Sequence, residues 1–351
     1  MRIEYGSGTA RYPAGHRVRI AWLALVLLAL PIARAFGEID QAPVQLLAGE
    51  YMAVAYSGYR AGQHPDRGAG ASNPSDEQIL ADLRILLDHG FDLIRIYDSG
   101  ENSAAVLRLV RQHRLPIKVL LGIWLKAELS NHEGCAWLTE PIPQQTLAAN
   151  RVDNAAEIER GISLAAEFPD IVVAVNVGNE ALVEWNDHMV PLERVIEYVQ
   201  HVKHAIEQPV TVAENYDWWV REGAPLAAVV DFVGVHSYPQ WEHKSIDQAL
   251  AYTIDNMERV QEALPGHTLA ILEAGWATTS SEFPQTANEE NQRRYFHELE
   301  KWAQDTHTTV FIFEGFDEPW KGDADNALGA EKHWGLFFLD RTPKLVMRDG
   351  R

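Results

Sequence analysis

The feature that most limits how this chain of 351 residues can fold is a series of eight short apolar runs, separated by loops and amphipathic stretches. Most of the runs are rich in leucine or β-branched residues and have almost no polar interruption, as in strands that are buried on both faces. Alternation of such strands with helices predicts βα units around a parallel sheet. The predicted strands are Tyr51–Tyr56, Leu93–Tyr97, Lys118–Ile123, Val172–Val177, Val210–Ala213, Phe232–Val235, Leu269–Leu272 and Val310–Phe313.

Amphipathic stretches between these runs predict the helices. Ser75 and Gln78 form a candidate capping box at the start of the first helix, and Gly90 is a typical residue to end it. The third helix is predicted over Ala155–Phe168, which leaves Leu125–Leu147 as a long inserted loop after the third strand.

Eight strands alternating with helices favour a single catalytic domain of the α/β class, a (β/α)8 TIM barrel over residues 36–351. A doubly wound open sheet is the alternative. That fold normally has a glycine-rich phosphate-binding turn after its first strand. Here the first strand is followed by Ser57-Gly58-Tyr59-Arg60, which is not such a turn.

Residues 1–35 have the order of an export segment. Arg11, Arg17 and Arg19 precede the apolar run Ile20–Leu30, and small residues follow at Ala33-Arg34-Ala35. Basic, apolar and small residues in this order are typical of a secretory signal peptide. An uncleaved membrane anchor and a buried core helix are the alternatives. We expect an exported protein, periplasmic or extracellular, with possible attachment to a membrane through this segment.

Composition excludes several classes of partner. The formal net charge is −20, with 50 acidic and 30 basic residues, so the surface repels a phosphate backbone and nucleic acid is not expected to bind. The single cysteine, Cys135, has no second cysteine with which to form a disulfide or a zinc site. We expect no metal, no cofactor and a monomeric protein.

Two carboxylates stand where strands reach the mouth of the predicted barrel, the face that carries function in this fold. Glu180 follows the fourth apolar run and Glu273 follows the seventh. Facing each other at about 5–5.5 Å, they would form the pair that a retaining glycosidase needs. A neighbouring carboxylate and an apolar wall are expected to raise the pKa of the acid. From spacing alone, a structural role in ion pairs under a loop is equally open.

A set of motifs in a fixed order resembles glycoside hydrolase family 17, particularly its bacterial exo-β-1,3-glucanase-like and β-1,3-glucanosyltransferase-like branch. The resemblance covers essentially all of residues 50–343. The motifs that carry it are Ile94–Asp98, Val177–Glu180, Glu273–Trp276, Asn291-Gln292, Phe313–Lys321 and Trp334–Phe337.

The resemblance implies a retaining (β/α)8 enzyme acting on β-1,3-glucan, with Glu180 as acid/base and Glu273 as nucleophile. By the same resemblance, Glu318 and Lys321 support the nucleophile side, more as an ion pair behind the site than as direct participants. One departure is Ala274, where plant members typically have serine or threonine. The missing hydroxyl is expected to change a hydrogen bond rather than the mechanism.

Further residues near strand ends are candidates for binding sugar. Asn179 is placed to donate to a 2-hydroxyl, and Arg95 either holds the nucleophile ionised or pairs with Asp98. His236 is interpreted as a hydrogen-bonding residue of the cleft rather than a metal ligand. Aromatic rings offer flat faces to pyranose C–H groups, although about half of the candidates are expected in the core. The aromatic candidates are Tyr56, Tyr97, Tyr216, Tyr238, Trp276, Phe313 and Trp320.

Three hypotheses for function stay open from the sequence. In the first, water resolves a glycosyl-enzyme and the protein hydrolyses β-1,3-glucan. In the second, a sugar hydroxyl resolves it and the protein is a glucanosyltransferase that elongates or branches the glucan. In the third, the protein binds glucan oligo- or polysaccharide without turnover. The presence of both glutamates argues against the third.

Overall fold

The computed structural model describes residues 39, 41, 46–66 and 70–348. The chain divides after Phe36 into the units Met1–Phe36 and Gly37–Arg351. The predicted signal or anchor segment lies outside the described residues. Within the part described, no helix has both the length and the apolar character required to cross a membrane.

Eight parallel strands close into a barrel, because the first strand pairs with the last as well as with the second. This closure confirms the (β/α)8 prediction and rules out the doubly wound open sheet. The strands, numbered in chain order, are β1 Met52–Ala55, β2 Leu93–Arg95, β3 Lys118–Ile123, β4 Val172–Asn179, β5 Val210–Asn215, β6 Val233–His236, β7 Leu269–Ala274 and β8 Val310–Ile312.

Helices follow the strands around the outside. They are α1 Asp76–Asp88, α2 Glu101–His113, α3 Gln144–Glu167, α4 Leu192–Ala205, α5 Tyr216–Glu222, α6 Ala224–Ala227, α7 Ile246–Ala263, α8 Glu289–Thr306 and α9 Leu345–Arg348. The capping box of Ser75 and Gln78 at α1 is confirmed. Gly90 lies just past its end with a φ of 79°, a conformation that suits glycine.

The third helix differs from the prediction. It begins at Gln144, so the predicted insertion Leu125–Leu147 ends in a helix rather than in a loop. Its first turns carry few apolar residues in a regular spacing, and Val152 is exposed. Because the amphipathic pattern is weak there, periodicity identified only the second half of the helix.

The barrel interior is filled by alanine, leucine and phenylalanine side chains, whereas the alternate positions of the strands face the helices. In β1, Ala53 points inward, while Met52 and Val54 belong to the cluster between sheet and helices. This alternation explains why the strands have apolar residues at nearly every position. The inner cluster comprises Leu47, Ala53, Leu93, Leu120, Ala174, Ala213, Phe232, Ala270, Leu272 and Phe311.

A buried ion pair joins α1 to the C-terminal part of the chain. Asp82 is fully buried and lies 2.8 Å from guanidinium nitrogens of both Arg60 and Arg341. Removing one member of such a group leaves buried charge uncompensated. The contact therefore fixes the first helix against the loops that follow β1 and β8.

We expect Asp82→Ala to lower the free energy of unfolding by about 3–5 kcal/mol, because it leaves the two guanidinium groups without their carboxylate. Asp76→Ala on the same helix is the matched control: Asp76 forms an exposed pair with Arg108, and its loss should cost about 1 kcal/mol or less. Denaturant unfolding of the two variants measures the difference. Equal losses would contradict the structural importance of the Asp82 group.

Candidate active site

Glu273 lies within β7 and is surrounded by hydrogen-bond donors. Its Oε1 accepts from Arg95 Nη1 at 2.9 Å and from the Tyr97 hydroxyl at 3.0 Å, and its Oε2 accepts from the Tyr238 hydroxyl at 2.6 Å. Burial, and then the Glu273 carboxylate, raise the pKa of both tyrosines well above the usual range, so they remain donors. Two hypotheses for Arg95 were open from the sequence. The structure agrees with the first, in which Arg95 holds Glu273 ionised, and not with the second, in which it pairs with Asp98.

Glu180 directly follows β4 on a strained turn. Its φ is 47°, a left-handed conformation that costs a residue other than glycine about 1–3 kcal/mol unless the surroundings enforce it. The backbone of Glu180 is held at both ends: its N–H donates to the Ala213 carbonyl at 2.8 Å, and its carbonyl accepts from Asn186 at 3.2 Å. Asn186 also donates to Glu180 Oε2 at 3.1 Å.

His236, the last residue of β6, lies between the two glutamates. Its Nδ1 is 3.0 Å from Glu180 Oε1 and 3.5 Å from Glu273 Oε2. Those two oxygens are therefore at most about 6.5 Å apart, which is the sum of the two distances. In inverting enzymes, about 6.5 Å is the smallest separation seen between the two carboxyl groups. The sequence-predicted pair thus meets in one place.

Arg95 fixes the hydrogen-bonding state of His236. Arg95 Nη1 lies 3.2 Å from His236 Nε2, and a guanidinium can only donate. Nε2 must then accept, so Nδ1 carries the hydrogen and donates to Glu180. The same guanidinium donates to the Leu272 carbonyl and to Asn179 Oδ1, which orients the Asn179 amide.

The pKa of Glu180 differs from the expectation. Burial raises it, but hydrogen bonds from His236 and Asn186 stabilise the anion and outweigh burial, so the net pKa is below the usual value. His236 was expected from the sequence as a hydrogen-bonding residue of the cleft, and the structure identifies Glu180 as its partner. No sequence pattern indicates Asn186, which lies on the loop after Glu180.

Lys321 joins two buried carboxylates behind the pair. Its Nζ lies 2.5 Å from Glu314 and 2.9 Å from Glu318, and Glu318 also accepts from Ser57 Oγ at 2.6 Å. Burial raises the pKa of Glu314 well above its usual range. Burial acts on Glu318 too, but Lys321 and Ser57 bring its pKa below the usual value. The predicted Glu318–Lys321 ion pair is present, with Glu314 as a third member.

Glu331 places a further carboxylate toward the cleft, on the 3-10 helix Ala330–Lys332. Burial raises its pKa; among nearby charges, Lys321 lowers it while Glu273 and Glu180 raise it. Glu331 therefore lies within electrostatic range of both strand-end glutamates and of the lysine.

The predicted aromatic residues divide into two groups. Tyr97 and Tyr238 contact Glu273, Phe313 packs edge-on against Tyr238 with ring centroids 5.8 Å apart, and half-buried Trp320 packs against Tyr59. The remaining three make their contacts elsewhere: Tyr56 near Asp82, Trp276 against Tyr295 of α8, and Tyr216 with Tyr252 of α7. Tyr56 and Trp276 are at most 2% exposed, so neither can offer a ring face to a sugar. Tyr216 is partly buried, and its role in binding sugar stays a prediction.

Four residues near the pair were not singled out from the sequence. For two of them the sequence held an indication, because Glu214 directly follows the fifth apolar run and Glu331 lies just before the Trp334–Phe337 motif. Glu314 lies inside a quoted motif without having been selected. Asn186 lies on a loop, where no periodicity indicates which side chain turns back to the cleft.

No group of three or more histidine, cysteine, aspartate or glutamate side chains among the described residues is arranged to hold a metal ion. The site consists instead of two carboxylates with their donors at the mouth of a (β/α)8 barrel. This fold and this site define the class of glycoside hydrolases with paired carboxylates.

The chain belongs to the BtgE/BtgC glycoside hydrolase domain family, whose model matches residues 53–335. The family resemblance inferred from the motifs is thereby confirmed, while its bacterial branch stays a prediction. A glucan 1,3-beta-glucosidase of Arthroderma benhamiae is 28% identical over 75% of this chain and 82% of its own length. One of Schizosaccharomyces pombe is 26% identical over 76% and 79%.

Solved structures agree with the barrel. An endo-laminarinase from Formosa Hel1_33_131 matches with a TM-score of 0.73 and 25% identity, over 85% of this chain and 86% of that one. The glycoside hydrolase family 17 β-1,3-glucanosyltransferase of Rhizomucor miehei matches with a TM-score of 0.63 and 19% identity, over 84% and 96%. At that identity the second match shows the fold alone.

Proposed function

We propose that this protein is a retaining glycosidase that cleaves β-1,3-glucan by double displacement, with Glu180 as acid/base and Glu273 as nucleophile. The observation that carries the proposal is the position of His236 Nδ1 between the two carboxylates. A nitrogen within 3.5 Å of both limits the gap between their facing oxygens, which favours the close pair of a retaining enzyme over the wider pair that leaves room for a water molecule in an inverting one.

The environments of the two glutamates support their separate roles. Glu273 is rigidly held in a strand, and a guanidinium and two tyrosines stabilise its negative charge. Those are the properties of a nucleophile that must be ionised. Glu180 lies on a loop and is more exposed, with 18% of its side chain accessible against 7% for Glu273. It can therefore reach an oxygen that enters or leaves the cleft.

In the first step, a Glu273 oxygen bonds to the anomeric carbon while the glycosidic C–O bond breaks and Glu180 gives its proton to the departing oxygen. In the second step, a water oxygen attacks that carbon, Glu180 takes the proton of the water, and the bond to Glu273 breaks. Asn179 Oδ1 accepts from Arg95, which leaves the Asn179 amide hydrogens as donors for the sugar 2-hydroxyl.

The substrate class rests on the relatives. Two are named glucan 1,3-beta-glucosidase and cover most of the domain, and the Formosa neighbour is an endo-laminarinase. The aromatic rings of Tyr97, Tyr238 and Trp320 and the carboxylate of Glu331 suit the apolar faces and hydroxyl groups of glucose units. Residues 1–35 support action after export, and we propose a monomer.

We expect Glu273→Gly to lose glucan cleavage and to regain turnover of a dinitrophenyl β-glucoside when azide is added, with a glycosyl azide of inverted configuration as product. Azide occupies the space of the missing nucleophile and attacks the anomeric carbon from that side. Glu180→Gly is the matched control: there the glycosyl-enzyme still forms, and azide should give the retained configuration. NMR of the products tests both. The same configuration from both variants would contradict the assigned roles.

Asn186→Ala should move the alkaline limb of the kcat/KM–pH profile to higher pH. Glu180 must be protonated to act as the acid, and Asn186 lowers its pKa by donating to the anion. Without this donor the pKa rises, and the protonated form persists to higher pH. Asn150→Ala is the control, because Asn150 donates to the Ala127 carbonyl and touches neither Glu180 nor Asn186. A limb that stays in place, or moves down, would contradict this assignment.

Transfer to a second glucan is the other candidate function, and exposed indoles on the loop after Glu180 and on the loop that contacts it favour it. Trp185 is 41% exposed on the loop after Glu180, and Trp137 is 63% exposed on the loop after β3. Asn131 binds the two loops together. Since Glu180 acts on the departing or entering oxygen, an acceptor sugar would bind on this side.

We expect Trp185→Ala to lower the ratio of transfer to hydrolysis on laminaritriose by roughly 2–10-fold, as loss of an aromatic contact of about 0.5–1.5 kcal/mol implies. Trp241→Ala is the matched control, because Trp241 is similarly exposed but packs on Trp334, which contacts Tyr238 on the nucleophile side. It should affect both products alike. Chromatography of longer and shorter oligosaccharides measures the ratio, and an unchanged ratio in Trp185→Ala would exclude this acceptor surface.

A further inference from the structure

A buried carboxyl group lies directly behind the turn that carries Glu180. Glu214 is in β5, next to the end of β4, and is fully buried. Its Oε1 accepts from the backbone N–H of Leu182 at 2.9 Å, and the N–H of Ala181 is also within its reach. These are the two residues that follow Glu180, so Glu214 contacts the acid/base through the backbone and not through the side chain.

The turn needs such a contact because of its conformation. Gly178 and Glu180 both have positive φ, at 86° and 47°, so the chain reverses sharply just where the acid side chain leaves it. A left-handed residue other than glycine persists only where its surroundings hold it. Strand β5 supplies two of those restraints, through the Ala213 carbonyl on the near side of the turn and the Glu214 carboxyl on the far side.

The surroundings of Glu214 favour its uncharged form, although the N–H groups of Leu182 and Ala181 act in the opposite direction. Burial raises its pKa well above the usual range, and the Glu180 carboxylate raises it further. No cation is paired with it among the described residues, and its Oε2 has no hydrogen-bond partner there. A buried unpaired carboxylate would be costly and would repel the charge of Glu180. A protonated carboxyl group offers an acceptor without that cost.

We propose that Glu214 is a positioning residue for acid catalysis: a neutral carboxyl group that fixes the Ala181–Leu182 backbone and thereby the direction of the Glu180 side chain. The inference rests on the proposed function, in which Glu180 is the acid/base. The role is the same for hydrolysis and for transfer, because both reactions require the same position of the Glu180 side chain.

The test compares substrates that need the acid with substrates that do not. Glu214→Ala should lower kcat/KM on laminaritriose on the order of 100-fold, because a small displacement of a catalytic group has effects of this size. It should leave the burst of dinitrophenol from a dinitrophenyl β-laminaribioside nearly unchanged, because this leaving group departs without a proton. Glu214→Gln should restore laminaritriose cleavage, since its carbonyl accepts the same N–H and carries no charge.

A purely structural role would give another pattern. Glu128→Ala is the matched control, a buried carboxyl that binds Tyr198 and Asn154 away from the pair. It should affect both substrates by the same factor or not at all. Equal losses on both substrates in Glu214→Ala would overturn the proposal. So would a failure of Glu214→Gln to recover the activity on laminaritriose.

A second measurement separates this proposal from the proposed function. The infrared difference spectrum of wild type minus Glu214→Gln should contain the carbonyl stretch of a protonated carboxyl group at neutral pH. Finding carboxylate bands instead would overturn the neutral state of Glu214, whatever the enzyme cleaves. A folded wild type that cleaves neither substrate would refute the glycosidase proposal and, with it, the positioning role, even where the carboxyl band is present.

Discussion

The site depends on one buried guanidinium. Arg95, at the end of β2, is fully buried and bonds to Glu273, to Asn179 and to the backbone and side chain of residues on β7 and β6. A rigid planar fork with several donors can hold groups from different strands at fixed angles. Its single positive charge compensates Glu273, and its inability to accept a hydrogen bond sets the state of His236. Barrel closure brings these partners within reach of one side chain.

Five glutamates around the site have the same side chain and differ in their partners. Burial acts to raise the pKa of each one, but the partners decide the net direction. For Glu180 and Glu318, hydrogen bonds or a lysine outweigh burial, and the pKa falls. For Glu214, Glu314 and Glu331 burial prevails. The cleft therefore concentrates carboxyl groups without an equal concentration of negative charge.

Strand order, barrel closure and the two strand-end glutamates could be read from the sequence because they depend on local patterns. Apolar runs identify buried strands, and parallel strands in a barrel end on one face, so Glu180 and Glu273 follow from counting. The ring of donors could not be read in this way. Tyr56 and Tyr97 each end a predicted strand, but Tyr56 directly follows β1 and packs toward Asp82, whereas Tyr97 is the second residue after β2 and reaches Glu273. One residue of register decides which face a side chain takes.

The unequal backbone settings of the two catalytic candidates fit unequal tasks. A nucleophile attacks one carbon from one direction, so a position inside β7 with three donors suits Glu273. An acid/base must give a proton to one oxygen and take it from another that arrives later at a slightly different place. Glu180 meets this demand from a loop, but a loop alone would leave its direction undefined. The contacts from Ala213, Glu214 and Asn186 resolve the conflict, because they fix the backbone and leave the end of the side chain accessible.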